Sequence, residues 1–244
     1  MSETQLARTV PVRGRTSHPH PPQLARELGA EFIGSALLAA IVIGSGIMAA
    51  RLSPNDVGLQ LLQNSFATAL GLSVLIMMFS PISGAHFNPV VSAVAAATGE
   101  TSWRQATTYL PAQVAGCIGG AIMANLMFAE TAVSWSTTER ATGSNLLSET
   151  VATAGLVLVI FLLVRSGRGS LAAPAVGAYI GAAYFFTAST SFANPAITVG
   201  RMFSDSFAGI APTSALPFIG AQIVGGIIGG TIAAWLTPRH LTKS

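Results

Sequence analysis

Residues 112–124, AQVAGCIGGAIMA, and residues 221–233, AQIVGGIIGGTIA, agree at six of thirteen positions, at an offset of 109. Two Asn-Pro pairs follow nearly the same spacing, since Asn88 and Asn194 stand 106 apart. Glu31 in AEFIGS and Glu149 in LSETVA, 118 apart, mark the start of each copy, with the differences in offset absorbed by loops. About 20 apolar residues at 1.5 Å rise cover the roughly 30 Å hydrocarbon core of a bilayer. Three segments of that kind fall in each copy, near 28–50, 59–79 and 104–128 and then near 147–165, 171–188 and 213–236. Three is odd, so the second copy must lie upside down relative to the first. The expectation is an all-α membrane protein with six transmembrane helices in an inverted repeat.

Composition agrees. Only 9% of the 244 residues are charged and 51% are apolar, against about 25% charged in soluble domains. A chain this poor in charge cannot coat a globule of its size with polar surface, so most of its exterior faces the lipid bilayer. The net charge of +3 does not point to nucleic acid, because the basic residues are scattered, with no basic helix face and no aromatic stacking pattern. Cys117, the single cysteine, has no partner for an intramolecular disulfide or a metal site and is read as a small packing residue. Nothing here calls for a metal or a cofactor.

Residues 1–24 carry three arginines and an HPHPP run without apolar periodicity, and are read as a disordered cytoplasmic tail. His18 and His20 within it lack a third metal ligand. A single domain follows over 25–238, its halves near 27–128 and 146–236. The first apolar segment is too long for a signal peptide and is read as retained. With six spans both termini share one face. Nine basic residues (Arg8, Arg13, Arg15, Arg26, Arg104, Arg165, Arg168, Arg239 and Lys243) fall on that face and three (Arg51, Arg140, Arg201) on the other. This split puts both termini in the cytoplasm of a cell-membrane protein.

Two further apolar segments, HFNPVVSAVAAATG from His86 and FANPAITVGRMF from Phe192, are too short to span. Each begins with an asparagine N-cap and a proline at the first helical position, a strong helix start. They read as re-entrant half-helices that enter from opposite faces and meet near the midplane. Their N-terminal dipole ends would then aim at one point. Asn88 and Asn194 can each accept a backbone N–H through the side-chain oxygen and present the NH₂ as a donor. Such a point grips a passing hydroxyl or water oxygen with donors alone, and repels cations.

SGAHFNPV, FANPA, the two AQ-x-x-G helices and the two early glutamates together resemble the major intrinsic protein family, the aquaporins and aquaglyceroporins, over residues 27–236. The resemblance implies a homotetramer of six-helix protomers, each with its own pore. It implies motif residues Asn88, Pro89 and Val90 and Asn194, Pro195 and Ala196. Pore carbonyls would come from Gly84, Ala85 and His86 on one side and from Thr190, Ser191 and Phe192 on the other. Glu31 and Glu149 would hold the loops by accepting their backbone N–H groups. A proton-coupled transporter, the competing reading of buried carboxylates, would show charge near the midplane, whereas both glutamates sit in the first turn or so of their helices. An intramembrane enzyme has no motif here, neither H-E-x-x-H nor G-x-S-x-G.

The chain departs from the family in two places. Val90 stands where alanine is usual, and its extra methyls either narrow the pore or pack against a neighbouring helix. Ile197 stands where an arginine usually completes the outer selectivity constriction. The family's spacing places the other filter residues at Ala182, Ser191 and Thr68, with Leu70 as the alternative to Thr68. None of these side chains is charged or aromatic, which implies a wide opening for uncharged solutes larger than water. Arg201 lies one helical turn beyond Ile197, either at the rim of the outer vestibule, with Asp205 placed to pair with it, or snorkelling to the headgroups. NPAIT, the following GR and SDSFAGI look like a bacterial subgroup linked with metalloid resistance. The expected solutes are arsenite, as As(OH)₃, and glycerol, with some water. An ordinary water or glycerol facilitator is the alternative.

Overall fold

The computed structural model describes residues 23–237, so residues 1–22 of the tail, with His18 and His20, and residues 238–244 lie outside the described part, while Gln23 and Leu24 already belong to the first helix. The helices are α1 (Gln23–Leu52), α2 (Val57–Ser83), α3 (Pro89–Ala97), α4 (Trp103–Met127), α5 (Gly143–Arg165), α6 (Ala172–Phe186), α7 (Pro195–Arg201) and α8 (Pro212–Leu236), with a 3-10 turn, Gly169–Leu171, before α6. Six of these, α6 taken together with the turn before it, are long and apolar enough to cross a membrane; α3 and α7, of nine and seven residues, are not. The protein is an all-α, multi-pass membrane protein of six spans and two half-helices.

Local chemistry sets the boundaries. Asp56, Ser102 and Thr142 cap α2, α4 and α5 by accepting the N–H of Leu59, Gln105 and Asn145, which satisfies donors that a helix start leaves open. Prolines open α3, α7 and α8, where no N–H is needed.

The two halves pack alike. In the first, α1 lies against α4, and a Cβ at Gly116 would run into the backbone carbonyl of Phe32; in the second, α5 lies against α8, and a Cβ at Gly225 would run into that of Thr150. In a membrane such close backbone approach replaces the hydrophobic effect as the main source of helix association. The glycine of each AQ-x-x-G motif therefore serves the crossing of its helix with the first helix of its half. Cys117 is fully buried and touches the α7 helix, where a Cβ on Gly200 would come within 2.7 Å of its carbonyl oxygen. Large apolar side chains such as Leu62, Phe66 and Leu70 stand exposed along α2, the surface expected against lipid.

Both ends of the described chain lie on one face, called here the terminal face. The α3 half-helix runs from the middle toward it, and α7 runs from the middle toward the opposite face. The connection between α4 and α5 folds back over the far end of α7, where Ser136 N–H donates to the Met202 carbonyl at 2.9 Å and Ser134 N–H to that of Phe203 at 3.2 Å.

Candidate functional site

Two buried carboxylates hold the loops that precede the half-helices, bond for bond. Glu31 accepts the N–H of His86 (3.0 Å) and of Phe87 (2.7 Å), the Ser83 hydroxyl (2.6 Å) and the Gln113 amide (2.8 Å). Glu149 accepts the N–H of Phe192 and of Ala193 (both 2.9 Å), the Ser189 hydroxyl and the Gln222 amide (both 2.6 Å). The two glutamines bridge onward to Ser92 and Thr198 at the starts of the half-helices. Ser83, Ser189, Gln113, Gln222, Ser92 and Thr198 were not singled out by the sequence reading. Their signal was available: Ser83 and Ser189 are 106 apart, as are Ser92 and Thr198, and the glutamines are the second letters of the repeated AQ.

Held in this way, the loops take backbone conformations that L-residues avoid. Ala85 and Phe87 have φ of 52° and 50°, and Ser191 and Ala193 have 48° and 47°. Left-handed non-glycine residues cost roughly 1–3 kcal/mol each and persist only where surrounding contacts over-determine them; the two glutamates supply those contacts. Among the described residues, no protein donor reaches the carbonyl oxygens of Gly84, Ala85, His86, Thr190, Ser191 or Phe192. Three of these residues, Ala85, Ser191 and Phe192, are buried, and buried carbonyls do not stay unpartnered, so these oxygens are available to whatever occupies the space they face.

Asn88 and Asn194 cross at the meeting point. Asn88 donates its Nδ2 to the Ala193 carbonyl and Asn194 to that of Phe87, each at 2.7 Å. Their Oδ1 atoms cap the helices, Asn88 accepting from Val90 N–H (3.0 Å) and Asn194 from those of Ala196 (2.9 Å) and Ile197 (3.3 Å). An amide nitrogen has two hydrogens, so each asparagine retains one donor after locking the opposite loop.

A cavity of about 580 Å³ runs past this point. One wall is apolar, with Leu72, Ile76, Val176 and Ile180; the other is formed by Gly84, Ala85, His86, Asn88, Ser191, Phe192 and Asn194. Such a path suits solutes with hydroxyls along one side and little charge.

Of the expected filter positions, Thr68, Ser191 and Ile197 line this cavity. Thr68 is 2% exposed, while Leu70 is 54% exposed on the outside of α2. Ala182 is a correction: it points outward from α6 and does not reach the cavity. The stripe of α6 that does is Ala173, Val176, Ile180 and Tyr184, and two residues from Tyr184 is about 200° around a helix. Tyr184 brings an aromatic ring to the cavity, its hydroxyl 3.2 Å from Thr68 Oγ1. Thr190 does not line the cavity, whereas its neighbours Ser191 and Phe192 do.

Arg201 lines it too. Being 2% exposed, it does not snorkel: its Cζ lies 3.3 Å from the Phe192 ring centre and its Nε donates to the Ala208 carbonyl. Nor does Asp205 pair with it, since that carboxylate accepts the Thr137 N–H and hydroxyl instead. Val90 is buried outside the cavity lining, against Gly226 of α8. Pro89 and Pro195 occupy the first helical positions, and Ala196 is fully buried away from the cavity.

Comparison with known proteins gives a consistent result. The family described as Major intrinsic protein matches residues 20–193. The chain is 44% identical over 213 residues to aquaglyceroporin AqpS of Rhizobium meliloti strain 1021, covering 87% of this chain and 91% of that one. It is 28% identical to a glycerol uptake facilitator protein of Pseudomonas aeruginosa, covering 91% and 92%. The solved structure of the aquaglyceroporin from Plasmodium falciparum shares the fold, with a TM-score of 0.66 at 20% identity over 89% of this chain and 97% of that one.

Proposed function

The chain belongs to the major intrinsic protein family, and from that premise we propose a passive channel for small uncharged solutes, glycerol and arsenite among them, with some water. The carrying observation is the cavity itself, whose lining sets Gly84, Ala85, His86, Ser191 and Phe192, with unpartnered carbonyls, and the two asparagines opposite an apolar wall. A polyol or a neutral metalloid hydroxide exchanges its water shell for those acceptors and donors, while the converging dipoles repel cations.

In this reading Asn88, Pro89 and Val90 and Asn194, Pro195 and Ala196 build the central junction, and Glu31 and Glu149 hold the loops and transfer no proton. Both carboxylates are saturated with donors, which favours a positioning role over coupling. Thr68, Ser191, Ile197 and Tyr184 frame the outer constriction. Arg201 stands beside them as the charge that excludes cations, a position supported by its place on the cavity wall. The channel unit is assigned to 25–238, in halves near 27–128 and 146–236. With the family, we assign a homotetramer in the bacterial cell membrane, both termini cytoplasmic, in keeping with the nine-to-three distribution of basic residues.

Purified protein in liposomes tests this reading. Glycerol and arsenite should enter faster than into empty vesicles, with the same rate whether or not a pH gradient is imposed. Uptake that follows the gradient would establish a coupled transporter instead, and water flux alone would establish a water channel.

A further inference from the structure

Two arginines from different parts of the chain face one aromatic ring at the α7 end of the cavity, Arg201 on the cavity lining and Arg140 outside it, and neither forms an ion pair among the described residues. Arg201 reaches the Phe192 ring from α7, and after its Nε bond to Ala208 its terminal nitrogens have no acceptor among the described residues. Arg140 comes from the connection between α4 and α5. It holds the carbonyls of Gly209 (2.7 Å) and Phe207 (3.0 Å), with its Cζ 5.4 Å from the same ring centre. At 3.3 and 5.4 Å from one point, the two guanidinium carbons are at most 8.7 Å apart.

The carboxylates that might neutralise them are engaged elsewhere. Glu149 is taken up by its loop, Glu139 accepts the hydroxyls of Thr213 and Ser214, and Asp205 accepts from Thr137. Among the described residues the ion pairs are Arg51 with Glu130 and Arg165 with Glu100, and neither involves this pair. A buried guanidinium with no directly paired acid is costly, since the Glu149 charge acts on both arginines only from a distance, and a second guanidinium nearby adds repulsion. Something of opposite charge lowers that cost when it arrives.

We propose that this end of the cavity is a binding site for a small oxyanion, which docks on the terminal N–H groups of Arg201 with Arg140 beside it and, while bound, obstructs neutral solutes. This rests on the reading of the cavity as the solute path. An oxyanion fits better than a halide because the planar guanidinium fork matches two oxygens at once. It stops there because the next stretch offers carbonyl oxygens and an apolar wall, both hostile to negative charge. The site is thus an inhibitory one, sensitive to anions in the surrounding solution.

The test uses the full chain in liposomes, with glycerol uptake measured in potassium phosphate and in potassium chloride at matched ionic strength, osmolality and pH. Phosphate should lower glycerol flux severalfold and saturably where chloride does not. Arg201→Gln should abolish the difference and Arg140→Gln should weaken it. In parallel, thermal unfolding of the detergent-solubilised protein should show a higher Tm in phosphate than in chloride for the native chain, by mass action, and a smaller difference in either variant. Should Arg201→Gln fail to fold, Arg140→Gln carries the same comparison. Equal Tm and equal flux in both salts would overturn the site, and so would a phosphate effect that survives both substitutions. If the native chain passes no glycerol, the channel reading falls, while the Tm comparison still decides the anion site.

Discussion

The two half-helices share a frame and differ in what they present. Counting from Asn88, the third and seventh residues on are Val91 and Ala95; counting from Asn194 they are Ile197 and Arg201, and all four line the cavity. The anchors behind them match bond for bond, glutamate to two loop N–H groups, serine hydroxyl and glutamine amide. The repeat therefore builds the junction twice, and one position, Ala95 against Arg201, puts a charge on one half-helix where the other carries a methyl group. In the proposed channel, selectivity by charge belongs to the α7 half-helix, and the α3 half-helix supplies passage.

The largest expected effect tests the shared frame. Glu31→Gln and Glu149→Gln each replace a charged acceptor of four donors with a neutral group that cannot accept them all. Each should cost about 2–3 kcal/mol, the scale for losing buried hydrogen bonds to a charged group, read as a lowered thermal midpoint with loss of glycerol flux. A large loss in one half and none in the other would break the symmetry of the anchors. Next, Ala95→Arg gives the α3 half a cation of its own. Raising the barrier by about 1.4 kcal/mol is a tenfold drop in flux, and glycerol uptake should fall by at least that order; unchanged uptake would mean that residue 95 is not on the path.

Val90→Ala separates packing from permeation. Two buried methyls removed from the contact with α8 should cost about 1.5 kcal/mol of stability with no change in glycerol or water flux. Faster flux would put Val90 on the pore after all. The smallest effect is expected from Thr68→Val, which removes the bond to Tyr184 at a cost of about 1 kcal/mol, with a flux change well below that of Ala95→Arg. An equal or larger change would move the main constriction to the α2 side.

The spans, the half-helices and their inversion were legible because each rests on a strong local signal: length, an Asn-Pro start, and an odd number of spans per repeat. Two kinds of detail were not. Lipid-facing and cavity-facing positions of α2 and α6 are both apolar, so hydropathy could not rank Thr68 against Leu70, and counting back from Asn194 landed on Ala182. Between α6 and α7 the chain runs through an irregular loop, across which a fixed spacing loses the helical register that brings Tyr184 inward. The saturation of Glu31 and Glu149 by serine and glutamine depends on contacts between residues up to 82 positions apart, visible in sequence only through equal offsets. Arg201 was placed on the correct helix face, but its stacking on Phe192 depends on the carbonyl of Ala208 in a later loop.

The most direct test of the account is the flux of glycerol, arsenite and water through liposomes holding the native chain and Ile197→Arg. The account predicts rapid entry of glycerol and arsenite through the native protein and a marked fall in both with arginine at 197, while water continues to pass. If glycerol and arsenite enter the variant as fast as the native protein, the constriction does not lie at Ile197, and the assignment of selectivity to the α7 half is wrong.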